Sequence, residues 1–328
     1  MISVHKRQSN FEILRILCML GVVIGHVLLY LYQDEIHSQD MSLCNQGRVF
    51  LLNGCAVAVN CFVLISGYFT VRLTWSKVVR YVAMCLWYAV LVYLLLGGSW
   101  LQVLFPVSET ELWFVPCYLV LMLMSPLLNA GLSSMSKRTL RRTVLFMLLA
   151  DVYIGYMHQC EYIGVDGYGI FHLICVYSLG YLLAKEQLIF RFPYLWVLSC
   201  FVVMTALHAL KMFWYPISAI YSLHYNSPIM IVASILVFQW AKELKFYSRV
   251  VNWVAGSVFA VYLILSNPSA SSLFHDCQNA CLNFSDSPIV RFCMLCLLIL
   301  GAFVCCILLD KIRIWVFNRI EGVCQSLS

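Results

Sequence analysis

The sequence predicts an all-α membrane protein, a bundle of about ten transmembrane helices with both termini in the cytoplasm. Three observations predict it. Of 328 residues, 62% are hydrophobic and only 11% charged, whereas a soluble domain carries roughly a quarter charged residues. Apolar stretches near the ~20 residues needed to cross a bilayer recur from one end of the chain to the other. The connections between them alternate between basic and acidic, as the positive-inside rule requires of a polytopic chain.

The apolar stretches fall near 11–33, 48–70, 79–97, 112–132, 140–157, 168–184, 194–213, 228–241, 252–268 and 289–309. The eighth is short and is expected to extend into its flanks. One alternating set of connections holds Lys6 and Arg7; Arg72, Lys77 and Arg80; Lys137, Arg138, Arg141 and Arg142; Lys185 and Arg191; Lys242, Lys245 and Arg249; and Lys311, Arg313 and Arg319. These are 17 of the 21 basic residues, so this side is read as cytoplasmic. The opposite set holds Arg48, Lys211 and Arg291 near span ends, and most of the acid: Asp34, Glu35, Asp40, Glu109, Glu111, Glu161, Asp166, Asp276 and Asp286. One missed or extra span would scramble this alternation, so it checks the count independently.

Residues 1–328 therefore read as one membrane domain. The first apolar run is too long for a signal h-region and no small-residue cleavage site follows it, so no cleavable leader is expected. The net charge of +6 is spread over short loops, which argues against a nucleic-acid partner. Most of the 16 cysteines lie in apolar runs, where Cys behaves as a small hydrophobe. No CxxC is matched by a second Cys or His pair, so no metal is expected. Cys44, Cys160, Cys277 and Cys281 fall on the outer side, where both a disulfide and free thiols are compatible with the sequence.

The first span, "NFEILRILCMLGVVIGHVLLYLYQ", carries Glu12, Arg15 and His26. Eleven residues separate Arg15 from His26, about three full helical turns plus ~20°, so both lie on one face. Glu12 is ~60° away on the same side. Arg15 is close enough to the cytoplasmic edge to reach headgroups. His26 is ~16 Å further along, past the middle of a ~30 Å hydrocarbon core. An ionisable group at that depth faces a polar cavity or the bundle interior and is a functional candidate by default. The plainer alternatives are a helix-to-helix hydrogen bond for His26 and a topology charge for Arg15.

These residues carry a resemblance. "RQSNFEILRILCMLGVVIGHV" resembles the opening signature of the acyltransferase family 3 integral-membrane proteins, which include bacterial polysaccharide O-acetyltransferases; the matching residues are Arg7, Glu12, Arg15 and His26. "CFVLISGYFTVRLTWSKVVRY" at 61–81, "ELWFVPCYLVLMLMSPLLN" at 111–129, "YNSPIMIVASILVFQWAKELKF" at 225–246 and "GSVFAVYLILSNP" at 256–268 resemble later segments in the same order. One departure stands out. The family's late Y-L-I-H motif reads Tyr262, Leu263, Ile264, Leu265 here, with an apolar residue in place of the His.

The resemblance implies a ten-span acyltransferase of the bacterial inner membrane. Its donor would be cytoplasmic acetyl-CoA, and its acceptor a hydroxyl of a cell-surface polysaccharide or lipid-linked glycan, with membrane lipid around it. His26 would be general base or transient acyl carrier, Arg15 would bind or orient the donor, and Glu12 would complete the motif. For such a donor the spacing has a use. An arginine fork near the inner face suits phosphate, and histidine is the natural base near neutral pH at the far end of the thioester arm. Arg72, Lys77 and Arg80 would hold CoA phosphates, although the same charges also serve as topology signals.

Other candidates each have a plainer reading. Ser66, Gly67 and Tyr68 suit either ligand approach or close helix packing. Asn60 is an amide in mid-span that needs a partner, either a helix or a substrate. Glu109, Glu111, Trp113 and Phe114 could hold an acceptor sugar or form an interfacial belt. Asp151 is placed to pair with His26 and orient its imidazole. His158, His172, His208 and His224 show no ligand spacing, and no GxSxG, P-loop or GxGxxG occurs in a credible context. A transporter or flippase without transfer chemistry is the competing class, but no repeat between halves is visible. The Leu265 departure leaves an inactive relative as a third reading.

Overall fold

The computed structural model describes residues 8–37, 41–107, 111–161, 164–186, 191–211 and 224–327. Arg7, Asp40 and Glu109 lie outside the described residues. Among those described, every regular element is helical. The chain divides into two compact units, Met1–Val78 with Trp113–Tyr247, and Val79–Leu112 with Ser248–Ser328.

In the first unit α1 (Ser9–His37) and α2 (Leu43–Tyr68) form an antiparallel pair. They are joined there by α5 (Phe114–Ser134), α6 (Lys137–Ala150), α7 (Ile170–Lys185), α8 (Pro193–Lys211) and α9 (Pro228–Glu243). The other unit holds α3 (Trp75–Leu96), α4 (Trp100–Leu104), α10 (Arg249–Ala255), α11 (Val258–Leu265), α12 (Pro268–Asn283) and α13 (Pro288–Leu327). Helix α6 continues into a wider π-helical segment, Asp151–Met157.

Helix α2 is the central element of the first unit. Its span is 61% buried inside the protein, against 33% or less for the other long apolar helices. It packs on α1, α7, α8 and α9. Small residues set how closely. A Cβ added at Gly67 would lie 2.0 Å from the Tyr177 carbonyl oxygen, and one at Gly180 would lie 2.4 Å from that of Leu64. Helices α2 and α7 thus meet backbone to backbone, and the Ser66-Gly67-Tyr68 segment is a packing contact of the small-residue kind. Side chains satisfy the carbonyls at the C-terminal end of α1: Asn45 Nδ2 donates to Glu35 O at 2.8 Å, and His208 Nε2 donates to Ile36 O at 2.9 Å.

Among the described residues six helices, α1, α2, α3, α5, α8 and α13, are long and apolar enough to cross a membrane. A seventh candidate is Arg249–Leu265 taken with α12, a pair bent by 88°. At that bend Asn267 accepts from the Ser269 amide and Pro268 opens the next helix, so the chain restarts in a new direction. About ten spans were expected from the apolar runs, more than the six or seven helices that meet this length and composition. The segments 140–157, 168–184 and 228–241 do fall on helices, but α7 and α9 have 16 residues each. That is ~24 Å of rise, short of a ~30 Å core.

The other unit contains a buried charged cluster. Tyr88 Oη and Arg313 Nε both donate to Asp310 Oδ1 at 2.7 Å, tying α3 to α13. Cys44, Cys160, Cys277 and Cys281 are free thiols.

Candidate active site

The α1 stripe is held on helix that runs unbroken until Tyr32, where the backbone leaves helical geometry. Glu12 is buried, and its two carboxylate oxygens accept from Arg15 Nη1 at 3.1 and 3.3 Å. The Arg15 side chain is 35% exposed, so the rest of its planar fork can still reach a second anion. His26 lies on the protein surface. Met19, midway along the same face, is buried. The stripe therefore forms two separate polar stations rather than a continuous channel wall.

A second constellation lies around α2 and α7. His172 Nδ1 is 2.7 Å from Asp151 Oδ2, and its Nε2 is 2.8 Å from Asn60 Oδ1. Asn60 Nδ2 donates to the Tyr225 carbonyl at 2.9 Å, and Asn226 Nδ2 donates to the Asp151 carbonyl at 3.4 Å. All four polar side chains are at most 2% exposed.

Proton positions follow from valence. A carbonyl only accepts, so the amide nitrogen of Asn60 must face Tyr225 and its oxygen must face His172. His172 Nε2 therefore carries a hydrogen. One further proton is shared between Nδ1 and Asp151, which leaves the pair neutral overall wherever that proton sits. Both ring nitrogens are engaged, so His172 pins helices together and is not placed as a base for a substrate. Asp151 was expected beside His26; its partner is His172, because the π-helical segment turns it toward α7.

Above this network the 3-10 turn Val165–Gly167 packs against the start of α9. Tyr225 N donates to Asp166 O at 3.0 Å. Asp166 adopts φ +61° and Gly167 φ +84°. A Cβ on Gly167 would meet Tyr225 Cβ at 2.8 Å, so only glycine fits. Asp166 Oδ1 lies 2.8 Å from His224 Nδ1. Trp113 stacks on Tyr225 with ring centroids 5.7 Å apart, and Tyr168 tilts against Trp113 at 4.8 Å.

Burial pushes the Asp166 carboxyl above its ordinary value, and the nearby imidazole partly offsets this. Burial pushes His224 below its ordinary value, and the Asp166 charge partly offsets that. His224 should therefore titrate below the ordinary ~6.5. His224 by itself costs stability as pH falls through this lowered value, since the unfolded chain binds that proton more readily, while the raised Asp166 acts in the opposite sense at lower pH. Removing the carboxylate charge with Asp166→Asn should lower the His224 midpoint further, measured by NMR of labelled histidine. An upward movement would contradict the pairing.

The family model described as an acyltransferase domain matches residues 8–311, nearly the whole chain. The chain belongs to acyltransferase family 3. No curated protein and no solved structure matches it.

The remaining predicted residues of this membrane acyltransferase are dispersed. Arg72 and Lys77 are exposed just beyond α2, with Lys77 Nζ donating to the Arg72 carbonyl at 2.8 Å. Arg80 is engaged in a two-point ion pair with Glu321, at 2.9 and 2.8 Å. That leaves Arg72 as the better phosphate candidate of the three. Glu111 is exposed and follows α4, and its backbone oxygen accepts from Tyr262 Oη at 3.5 Å. Trp113 is half-buried, covered on its rings by Tyr168 and Tyr225.

Leu265 lines an apolar cavity of about 530 Å³ with Leu91, Ile264, Leu297 and Cys306. An imidazole there would face hydrocarbon and lose its hydration, a physical reason for the leucine. Sequence reasoning named Asn60, Asp151 and His172 singly. Their shared signal, a polar residue within each of three apolar runs, was present, but no spacing rule joins residues on different helices.

Proposed function

We propose that this acyltransferase moves an acetyl group from cytoplasmic acetyl-CoA to a hydroxyl of a cell-surface or lipid-linked glycan, in a bacterial inner membrane. The observation that carries the reading is the α1 arrangement, a carboxylate-braced Arg15 and a surface His26 ~16 Å apart on one straight helix. Arg15, with Arg72 beyond α2, would hold the phosphates of the donor near the inner face. His26 would take the proton from the acceptor hydroxyl as its oxygen attacks the thioester carbonyl. The carbon–sulfur bond then breaks, and the proton passes from His26 to the leaving CoA thiolate.

The same reading keeps ten crossings and cytoplasmic termini, with α6, α7 and α9 spanning together with their flanking segments. Purified protein incubated with labelled acetyl-CoA should release or transfer label. Complete inertness would favour a transporter or an inactive relative instead. Arg15→Ala should raise the apparent KM for acetyl-CoA by roughly ten- to a hundredfold, the loss of one strong phosphate contact at about 1.4 kcal/mol per tenfold. A change confined to the acceptor KM would contradict the donor role.

A further inference from the structure

We propose that the outer side of the first unit contains a sugar-ring subsite, with the Tyr168 ring as its platform and Asp166 and His224 as its hydroxyl-binding groups. It rests on the acyltransferase reading and supplies that reading with an acceptor site.

The first argument is depth. Helices α1 and α2 run antiparallel with Gly21 and Gly25 against Cys55, and Cys18 beside Cys61. Asn60 is therefore level with about Cys18 or Met19. It lies ~5 Å outward of Arg15 and ~11 Å inward of His26 along the α1 axis. Asn60 is bonded to His172 and to the Tyr225 carbonyl. Hence the starts of α7 and α9, which enter from the outer side, lie at this depth. So does the start of α5, since Trp113 stacks on Tyr225. The short α7 and α9 are the consequence: the outer connections descend partway into the membrane, to a level between the two stations of α1.

The second argument is which groups stand open at that floor. Trp113 was the expected stacking residue, but it is half-buried behind Tyr168, and Tyr168 is 52% exposed. Asp166, two residues before it on the same turn, and its partner His224 keep side chains 17% and 31% exposed outside the contact they make with each other. A pyranose presents an apolar C–H face and a rim of hydroxyls. An exposed ring, with a partly exposed carboxylate on its own turn and an imidazole paired to that carboxylate, offers chemistry for both features. An anionic ligand is disfavoured by the carboxylate, and a lipid tail gains nothing from either polar group.

The third argument is preorganisation. Asp166 holds a left-handed backbone that a non-glycine residue rarely adopts, between Gly164 at φ +119° and Gly167 at φ +84°. Such strain persists only where the surroundings over-determine it, and it concentrates at ligand sites. Here the surroundings are the Tyr225 amide on the Asp166 carbonyl and the buried His172 network beneath.

The test uses the full chain in lipid nanodiscs and saturation-transfer NMR, which needs no acyl transfer. The probes are methyl β-galactoside and methyl β-glucoside, with a long-chain alkyl glucoside in the bilayer as the lipid-linked arm. Ring-proton saturation should appear in the wild type and fall at least fivefold in Tyr168→Ala and Asp166→Asn. Tyr168→Phe should retain it, which separates lost stacking from lost folding. Signal from the methyl glycosides supports the subsite with a free glycan as source; signal from the alkyl glycoside alone supports it with a lipid-linked one. No wild-type signal, or equal signals in wild type and Tyr168→Ala, overturns the proposal. Sugar binding without any turnover of acetyl-CoA would instead overturn the acyltransferase reading and leave the subsite standing.

Discussion

His26→Ala is expected to abolish acyl transfer while leaving the protein inserted and folded. Loss of a general base costs 10²–10⁴ in rate, and loss of an acyl carrier removes the pathway altogether. The side chain lies at the surface of α1 and not in its packed seam with α2, which is formed by residues such as Cys18, Gly21 and Gly25. Truncating it leaves that seam in place, so the thermal midpoint should move by little. The measurement pairs labelled-acetyl transfer with a melting curve in the same detergent. Undiminished transfer in His26→Ala would remove the chemical role of α1. A large fall in melting temperature would show that His26 is structural.

The comparison with histidine 172 sharpens this. Both imidazoles sit in apolar sequence, and sequence alone ranks neither above the other except by the motif around His26. In the structure His172 has both nitrogens committed to Asp151 and Asn60. Substitution of His172 is therefore expected to lower activity through stability, whereas His26→Ala lowers it at unchanged stability.

What the sequence revealed divides along a physical line. The α1 stripe was legible because its three residues belong to one helix, and helical periodicity alone puts them on one face. Gly67 was legible as a packing position because small residues permit close backbone approach. The Asp151–His172–Asn60 network was not, since it depends on the relative register of three helices and on a π-helical segment that redirects Asp151. The apolar runs were legible, but not which of them make helices long enough to cross: among the described residues six do, with a bent pair as a seventh candidate. Nothing in the composition of 168–184 or 228–241 says that α7 and α9 end after 16 residues each. Trp113 was legible as an aromatic near the outer side, but which ring of the cluster stands open was settled by the turn that carries Tyr168.

The second large effect is expected at Asp151. Asp151→Ala removes the partner of His172 Nδ1 in surroundings where the imidazole is 2% exposed. Breaking a buried pair by deleting one member costs about 3–5 kcal/mol, a large part of the 5–15 kcal/mol that holds a typical domain together. Asp151→Asn is expected to behave quite differently. His172 Nε2 must keep its hydrogen for Asn60 Oδ1, so a neutral His172 presents Nδ1 as an acceptor, and the Asn amide can donate to it. The contact then survives as a neutral hydrogen bond, at a cost of about 1 kcal/mol. Thermal unfolding of the two variants in nanodiscs decides the matter. A deep loss for alanine with near-wild-type behaviour for asparagine would place the shared proton on Asp151 beside a neutral His172, the arrangement that the asparagine amide reproduces. Equal losses would mean that the carboxylate charge itself is required, with His172 held as the imidazolium. The turn bearing Asp166 and Tyr168 rests on this network, so Asp151→Ala should also become cleavable by protease between residues 164 and 169, while Asp151→Asn remains protected there.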